Sequence, residues 1–249
     1  MSNLVAIVTG SAHGMGRAIA LRLAEDGFNV GINDIASKQD FLSSLAEEIA
    51  AKGRKACILP ADVSKEEEVA GMVDTVVKEF GSLDVIVSNA AIFLNKPILE
   101  ISAGEWDRVQ AINSRGAFFC YKYAAKQMIA QGRGGKIIGA SSTVARQSEG
   151  GLSAYGASKG AIVSLTHSAA REFGPHGITV NCYAPGTVDT PMLRDIYPDP
   201  TDPKLAEPYA LKRIGKPEDI VGIVSFLASK DADWVTGQNF AVNGGQFFN

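Results

Sequence analysis

Apolar positions along this chain fall into two alternating rhythms. Short unbroken runs, such as Leu4-Val5-Ala6-Ile7-Val8 and Ala56-Cys57-Ile58-Leu59, alternate with stretches in which apolar residues recur every three or four places. A short apolar run bounded by turn residues predicts a buried strand, and the wider spacing predicts a helix with one apolar face. Strands are predicted at 4–8, 28–32, 56–59, 83–87, 136–140 and 178–181. A helix follows the first strand, and another over 40–52 carries Phe41, Leu42, Leu45 and Ile49 on one face. A third carries Val69, Met72, Val73, Val76, Val77 and Phe80. Strand and helix in strict alternation imply parallel strands joined by helical crossovers, a doubly wound α/β sheet with helices on both faces.

One stretch breaks the pattern. Residues 190–216 contain Pro191, Pro198, Pro200, Pro203 and Pro208, several charges and few periodic apolar residues. A connection this long inside a compact domain is expected to be a lid or binding loop, and it follows the sixth strand at the end where such sheets hold ligands. No repeat or low-complexity linker divides the chain, so 249 residues with 46% hydrophobic side chains are expected to form one domain.

Charge narrows the partners. A net charge of −3 without any basic run gives no electrostatic support for nucleic acid or an anionic membrane. The first strand begins too close to Met1 for a cleavable signal peptide, and no apolar stretch approaches the ~20 residues that span a bilayer. Cys57, Cys120 and Cys182 are odd in number and widely spaced, as in a reduced, cytoplasmic protein. His13, His167 and His176 fall into no ligand spacing, so no metal site is expected.

The candidate chemistry begins at Thr9-Gly10-Ser11-Ala12-His13-Gly14-Met15-Gly16, between the first strand and the first helix. Glycines there allow a sharp turn and the close approach of a pyrophosphate, and the helix N-terminus offers N–H groups to the anion. Asp34 lies 18 residues past Gly16, where a carboxylate can accept hydrogen bonds from an adenosine ribose; it could equally cap the next helix. Tyr155 and Lys159 stand at i and i+4, hence on one helical face. An ammonium beside a phenol favours the phenolate and should lower its pKa toward that of a working acid/base. Ser142, 13 residues before Tyr155 and just past the fifth strand, could bond a substrate oxygen or serve as a turn residue.

Together these residues resemble the short-chain dehydrogenase/reductase family over essentially the whole chain, and the resemblance implies a Rossmann-like fold. Gly10, Ser11, His13, Gly14, Met15 and Gly16 match its cofactor motif. Ser142, Tyr155 and Lys159 match its catalytic serine, tyrosine and lysine, the last two also reaching the nicotinamide ribose. Asn113 matches the asparagine that holds a proton-relay water; alternatively it is a polar residue bending a long helix. Asp62 and Val63 match the pair that meets the adenine, and Asn89 the residue near the adenosine ribose. Pro185, Gly186, Val188 and Thr190 match the segment holding the carboxamide. Where the family usually carries Asn-Asn-Ala-Gly, this chain has Ser88-Asn89-Ala90-Ala91, which adds a methyl group where the cofactor passes.

The resemblance implies reversible hydride transfer between a nicotinamide cofactor and a small secondary alcohol or ketone. Within the family the chain looks most like diacetyl/acetoin reductases and sugar or polyol dehydrogenases, with 3-oxoacyl-carrier-protein reductase as the rival. Asp34 argues for NAD over NADP, because a 2′-phosphate would meet a carboxylate at close range. Val144, Glu149, Met192 and Tyr197, with Ser142 and Tyr155, are the candidate substrate contacts. The resemblance also implies a homotetramer, with helices containing 118–123 and 158–170 and the last strand, Asn239–Val242, at the interfaces.

Overall fold

A computed structural model describes residues 4–197 and 199–248; Pro198, within the expected lid, lies outside them. Seven strands form one sheet in the order β3-β2-β1-β4-β5-β6-β7. They are β1 Val5–Thr9, β2 Asn29–Asp34, β3 Ala56–Pro60, β4 Val85–Ser88, β5 Gly135–Ala140, β6 Ile178–Pro185 and β7 Asn239–Val242. Every neighbouring pair is parallel. The order reverses between β1 and β4, so the loops after these two strands diverge and leave a crevice at the carboxyl edge.

Helices α1 Gly14–Glu25, α2 Gln39–Ala51, α3 Glu66–Phe80, α4 Ala103–Gln110, α5 Gly116–Gln131 and α6 Ser153–Phe173 carry the crossovers. The short α7 Pro191–Arg194 and α8 Pro203–Ala206 precede α9 Pro217–Ala228. On one face of the sheet Ile19, Leu23, Leu45, Ile49, Val224 and Leu227 bury the apolar stripes of α1, α2 and α9. On the other, Val69, Val73, Val76, Cys120, Ala124 and Met128 do the same for α3 and α5. The stripes of α2 and α3 are the ones read in the sequence, and each helix gains from burying its apolar face what an isolated helix lacks.

Three local differences have identifiable causes. The fourth strand begins at Val85, not at 83, because both backbone groups of Leu83 bond the carboxamide of Gln131 (2.7 and 2.9 Å). The sixth strand runs on to Pro185, since β7 pairs alongside and extends the ladder. Between α4 and α5 the chain makes a π-helical turn, Ala111–Arg115, with Asn113 buried inside it.

Residues 190–216 leave and rejoin the body at one neck. Val188 and Gly215 bridge in parallel fashion, Asp189 N–H donates to the Gly215 carbonyl and Gly215 N–H to that of Thr187, both at 2.9 Å. The buried Tyr209 folds back so that its hydroxyl accepts from Thr187 N–H at 3.0 Å.

Candidate active site

The carboxyl ends of β1, β2, β4, β5 and β6 open into a cleft of about 620 Å³. At its floor the glycine turn is required by sterics. Gly10 has φ +65°, and a Cβ there would lie 2.8 Å from the Cα of Ala90. A Cβ on Gly16 would collide with the Gly10 carbonyl and the Asn89 carboxamide. Asn89 holds this turn shut, donating to the Thr9 carbonyl at 3.0 Å while accepting from the Tyr183 hydroxyl at 3.0 Å. The N-terminus of α1 has no side-chain cap and no acidic residue in its first turn, so its N–H groups face the cleft uncompensated. That arrangement fits an anionic pyrophosphate.

Asp34 closes one end of this floor. Its carboxylate accepts from Ala12 N–H (3.2 Å) and Ile35 N–H (2.9 Å), tying the end of β2 to the glycine turn while still lining the cleft. It does not cap the following helical turn, whose N-cap is Ile35. His13 packs edge-on against Phe41 with ring centroids 4.3 Å apart. Burial and the neighbouring Lys38 push its pKa down, so it presents a neutral ring to the cleft. The Arg17 guanidinium is paired with Glu48.

Gly14, Met15, Asp62, Val63, Pro185, Gly186, Val188 and Thr190 also line the cleft, as the sequence places them. Burial raises the Asp62 pKa but is outweighed by hydrogen bonds from Ser64 (2.7 and 2.9 Å), so the group stays ionised. Ser11 is a correction. Its side chain is fully buried and donates to the Asn33 carbonyl at 3.1 Å, so it braces the turn from behind and does not line the cleft. Of the two unusual residues after β4, Ser88 is buried and hydrogen-bonds Cys120, and Ala91 lines the cleft.

At the opposite end Ser142, Tyr155 and Lys159 come together. Ser142 follows β5 and hydrogen-bonds Tyr155; its Oγ also accepts from Val144 N–H at 3.3 Å. Lys159 lies one helical turn on, with Nζ 5.5 Å from the Tyr155 ring centroid. The electrostatics correct the expectation drawn from the i,i+4 spacing. Burial pushes the phenol up to about 12, with only the Ser142 bond opposing it. The lysine gives its proton to a bond with the Ala140 carbonyl (2.8 Å), and desolvation lowers its own pKa to about 8. Proximity along the helix is therefore not enough to lower the phenol's pKa when both groups are dehydrated.

Asn113 is a second correction. Its side chain is almost wholly buried and does not line the cleft. Oδ1 accepts from Ile92 N–H (2.8 Å), and Nδ2 donates to the Ile92 carbonyl (2.9 Å) and to Ser158 Oγ (3.0 Å). Ser158 in turn donates to the Tyr155 carbonyl at 2.7 Å. The asparagine thus positions the helix that carries Tyr155, and the π turn gives its side chain the reach to do so.

Val144, Glu149, Met192 and Tyr197 all line the far end of the cleft. Leu152 and Ile196, from the 143–154 segment and the lid, line it too, while Phe93 and Gln246 were not anticipated. Phe93 packs on the Tyr155 ring at 4.8 Å, yet it sits in an aperiodic stretch that carries no local signal. Gln246 follows the last strand at the carboxyl edge, and that rule of position could have found it. Among the described residues no cluster of His, Cys, Asp and Glu could hold a metal, and no helix is long and apolar enough to cross a membrane.

Comparison with known proteins agrees with this geometry. Residues 10–246 match the family described as Enoyl-(Acyl carrier protein) reductase. A short-chain dehydrogenase/reductase of Armillaria gallica is 50% identical, the match covering 98% of this chain and 96% of the relative. The 3-oxoacyl-acyl-carrier-protein reductase FabG of Staphylococcus epidermidis is 42% identical over 98% of this chain and 99% of its own. Among solved structures, a short-chain type dehydrogenase/reductase from Mycobacterium marinum superposes with TM-score 0.94 at 33% identity, covering 100% of this chain and 97% of that one. The acetoin dehydrogenase YohF of Salmonella typhimurium gives 0.89 at 33% identity, covering 98% and 97%.

Proposed function

The chain belongs to the short-chain dehydrogenase/reductase family, and from that premise we propose that it moves a hydride between NAD(H) and a small secondary alcohol or ketone, namely a hydroxyketone, diol, sugar or polyol. The observation that carries this reading is the meeting of Tyr155 with Ser142 and Lys159 at the cleft end lined by Val144, Met192 and Tyr197. A bound nicotinamide dinucleotide supplies the hydride donor or acceptor, chemistry no side chain here can provide. The glycine turn and the α1 N-terminus would hold its pyrophosphate, Asp34 its ribose, Asp62 and Val63 its adenine. Pro185, Gly186, Val188 and Thr190 would hold its carboxamide.

In reduction, Tyr155 donates its proton to the carbonyl oxygen, and Ser142 holds that oxygen as negative charge develops. Burial suits this role, because it keeps the phenol protonated until the substrate needs the proton. Once the proton has left, the Lys159 ammonium is close enough to favour the phenolate. Asn113 keeps Tyr155 in place, and 190–216 acts as the lid over the substrate. The protein works as a cytoplasmic homotetramer, α5 and α6 of one copy packing on those of another.

The 42% identity to a 3-oxoacyl-acyl-carrier-protein reductase favours a second reading, reduction of a 3-oxoacyl thioester. One assay separates the two. Purified protein is given NADH and NADPH in turn with small diketones, keto sugars and 3-oxoacyl thioesters, and NAD+ and NADP+ in turn with polyols. NADH-dependent turnover of the small carbonyls is expected. Faster turnover of the thioester with NADPH would favour the second reading, and turnover of neither would overturn both.

A further inference from the structure

Gln246 carries an anomaly that the proposed chemistry leaves unused. It lines the cleft, yet its Oε1 is buried without a hydrogen-bond partner among the described residues. A buried acceptor left unpaired costs free energy, and proteins rarely leave one so unless something else supplies the donor. The backbone around it is fixed. Gln246 N–H donates to the Asn243 carbonyl (3.0 Å), and Gly245 is clamped by Asn243 Oδ1 (3.0 Å) and by Ala210 N–H (3.3 Å). The residue therefore has a set place in the cleft wall.

That place follows from the sheet. Gln246 comes just after β7, and Ser142 just after β5, with β6 between them. Two strand spacings separate these positions by about 10 Å, and Gln246, Ser142 and Tyr155 all line the same cleft. A carbonyl held by Ser142 and Tyr155 would leave a neighbouring substituent of the same molecule facing Gln246. The atom awaiting a partner is an acceptor, so the substituent it fits is a donor.

We propose that Gln246 is a specificity-determining residue that accepts a hydrogen bond from a second hydroxyl on the substrate, which makes vicinal hydroxyketones and diols, rather than simple ketones and alcohols, the preferred class. This rests on the hydride-transfer reading above. A site that pairs a buried polar group only with the right substrate rejects the analogue lacking the hydroxyl, because the group is then left unpaired.

The test uses matched pairs, butane-2,3-diol against butan-2-ol and acetoin against butanone, with wild type, Gln246→Met and Gln246→Glu. The quantity read is the ratio of kcat/KM for the hydroxylated member over its partner. Wild type should show a ratio of about ten or more, the discrimination that one hydrogen bond carries at about 1.4 kcal/mol. Gln246→Met should bring it close to one, and Gln246→Glu, which keeps an acceptor, should hold it high. Because Oε1 is unpaired in the free protein, Gln246→Met should leave the Tm unchanged or raised; a clear fall would show a structural role and overturn the proposal. So would a ratio near one in the wild type, or one that Gln246→Met does not alter, and in either case the hydride-transfer reading stands. Absence of turnover of all four compounds by a wild type that turns over sugars or polyols overturns the preference proposed here and leaves the hydride-transfer reading standing.

Discussion

Tyr155 holds its proton firmly in the free protein, and its neighbours determine what happens when the proton leaves. Tyr155→Phe removes the hydroxyl and little else, so kcat should fall by about 10²–10⁴-fold with dinucleotide binding intact. Retention of more than about a tenth of the activity would reject the role. Lys159 can be tested without any substrate. Its folded pKa of about 8 lies below the ordinary 10.5, so between these values the folded state binds fewer protons than the unfolded state. Stability contributed by this group is full above pH 10.5 and is lost as the pH falls toward 8. Wild type should accordingly gain on Lys159→Met as pH rises through that window, by at most about 1.4 kcal/mol per unit; a flat difference in denaturant midpoints would contradict this. Asp34 has two duties, one as a charge and one as an acceptor for Ala12 N–H. Asp34→Asn keeps an acceptor and removes the charge, so the preference for NAD(H) over NADP(H) should drop by about tenfold or more, or 1.4 kcal/mol. If the wild type uses both cofactors equally, the charge has no part in the choice.

At the level of elements, the π turn at Ala111–Arg115 links the loop after β4 to the helix that carries Tyr155. Asn113→Ala removes the partner of the half-buried Ile92 N–H and carbonyl and of Ser158 Oγ. The cost should be about 3 kcal/mol, or roughly 6–12 °C in Tm at the 2–4 °C per kcal/mol of a domain this size. A change under about 2 °C in a melting scan would sink the positioning role, judged on that same scale. This turn also marks the limit of what periodicity can tell. Apolar runs and stripes located the first six strands and the first three helices, because burial on two sheet faces dictates them residue by residue. The sequence places Asn113 on a helix but cannot report that one extra residue is wound into the turn, since that depends on Ile92 and Ser158 being brought alongside. The same holds for Tyr155 and Lys159, whose spacing was legible while their dehydration was not.

At the scale of the whole molecule, the apolar groove between α5 and α6 sets the expected assembly. Phe118 and Ile129, 45% and 39% exposed, flank it, with Leu165 and Phe173 across the gap. Such a surface is costly to leave in water; paired across it, and across the edge strand β7 as the second interface, the chain should return four times its own mass in light scattering at micromolar concentration. A monodisperse monomer would contradict this. The topology and the carboxyl-edge cleft were legible because alternation of strand and helix permits few arrangements. Among the residues that rim the substrate end, Phe93 and Gln246 were not, since they come from segments far apart in the chain whose meeting only the folded sheet decides.

The neck where Val188 meets Gly215 has a consequence for how this protein can change. Ala210 and Leu211 N–H tie the chain a second time, to the carbonyls of Gly245 and Gly244. The part free to vary is the stretch after Thr190 and before Tyr209, and lengthening a closed loop is cheap, about 0.6 kcal/mol for each doubling. The substrate side can therefore be shortened, extended or exchanged wholesale while the glycine turn, Asp34 and the Ser142–Tyr155–Lys159 group keep their places. New substrates become reachable by grafting, with no redesign of the chemistry.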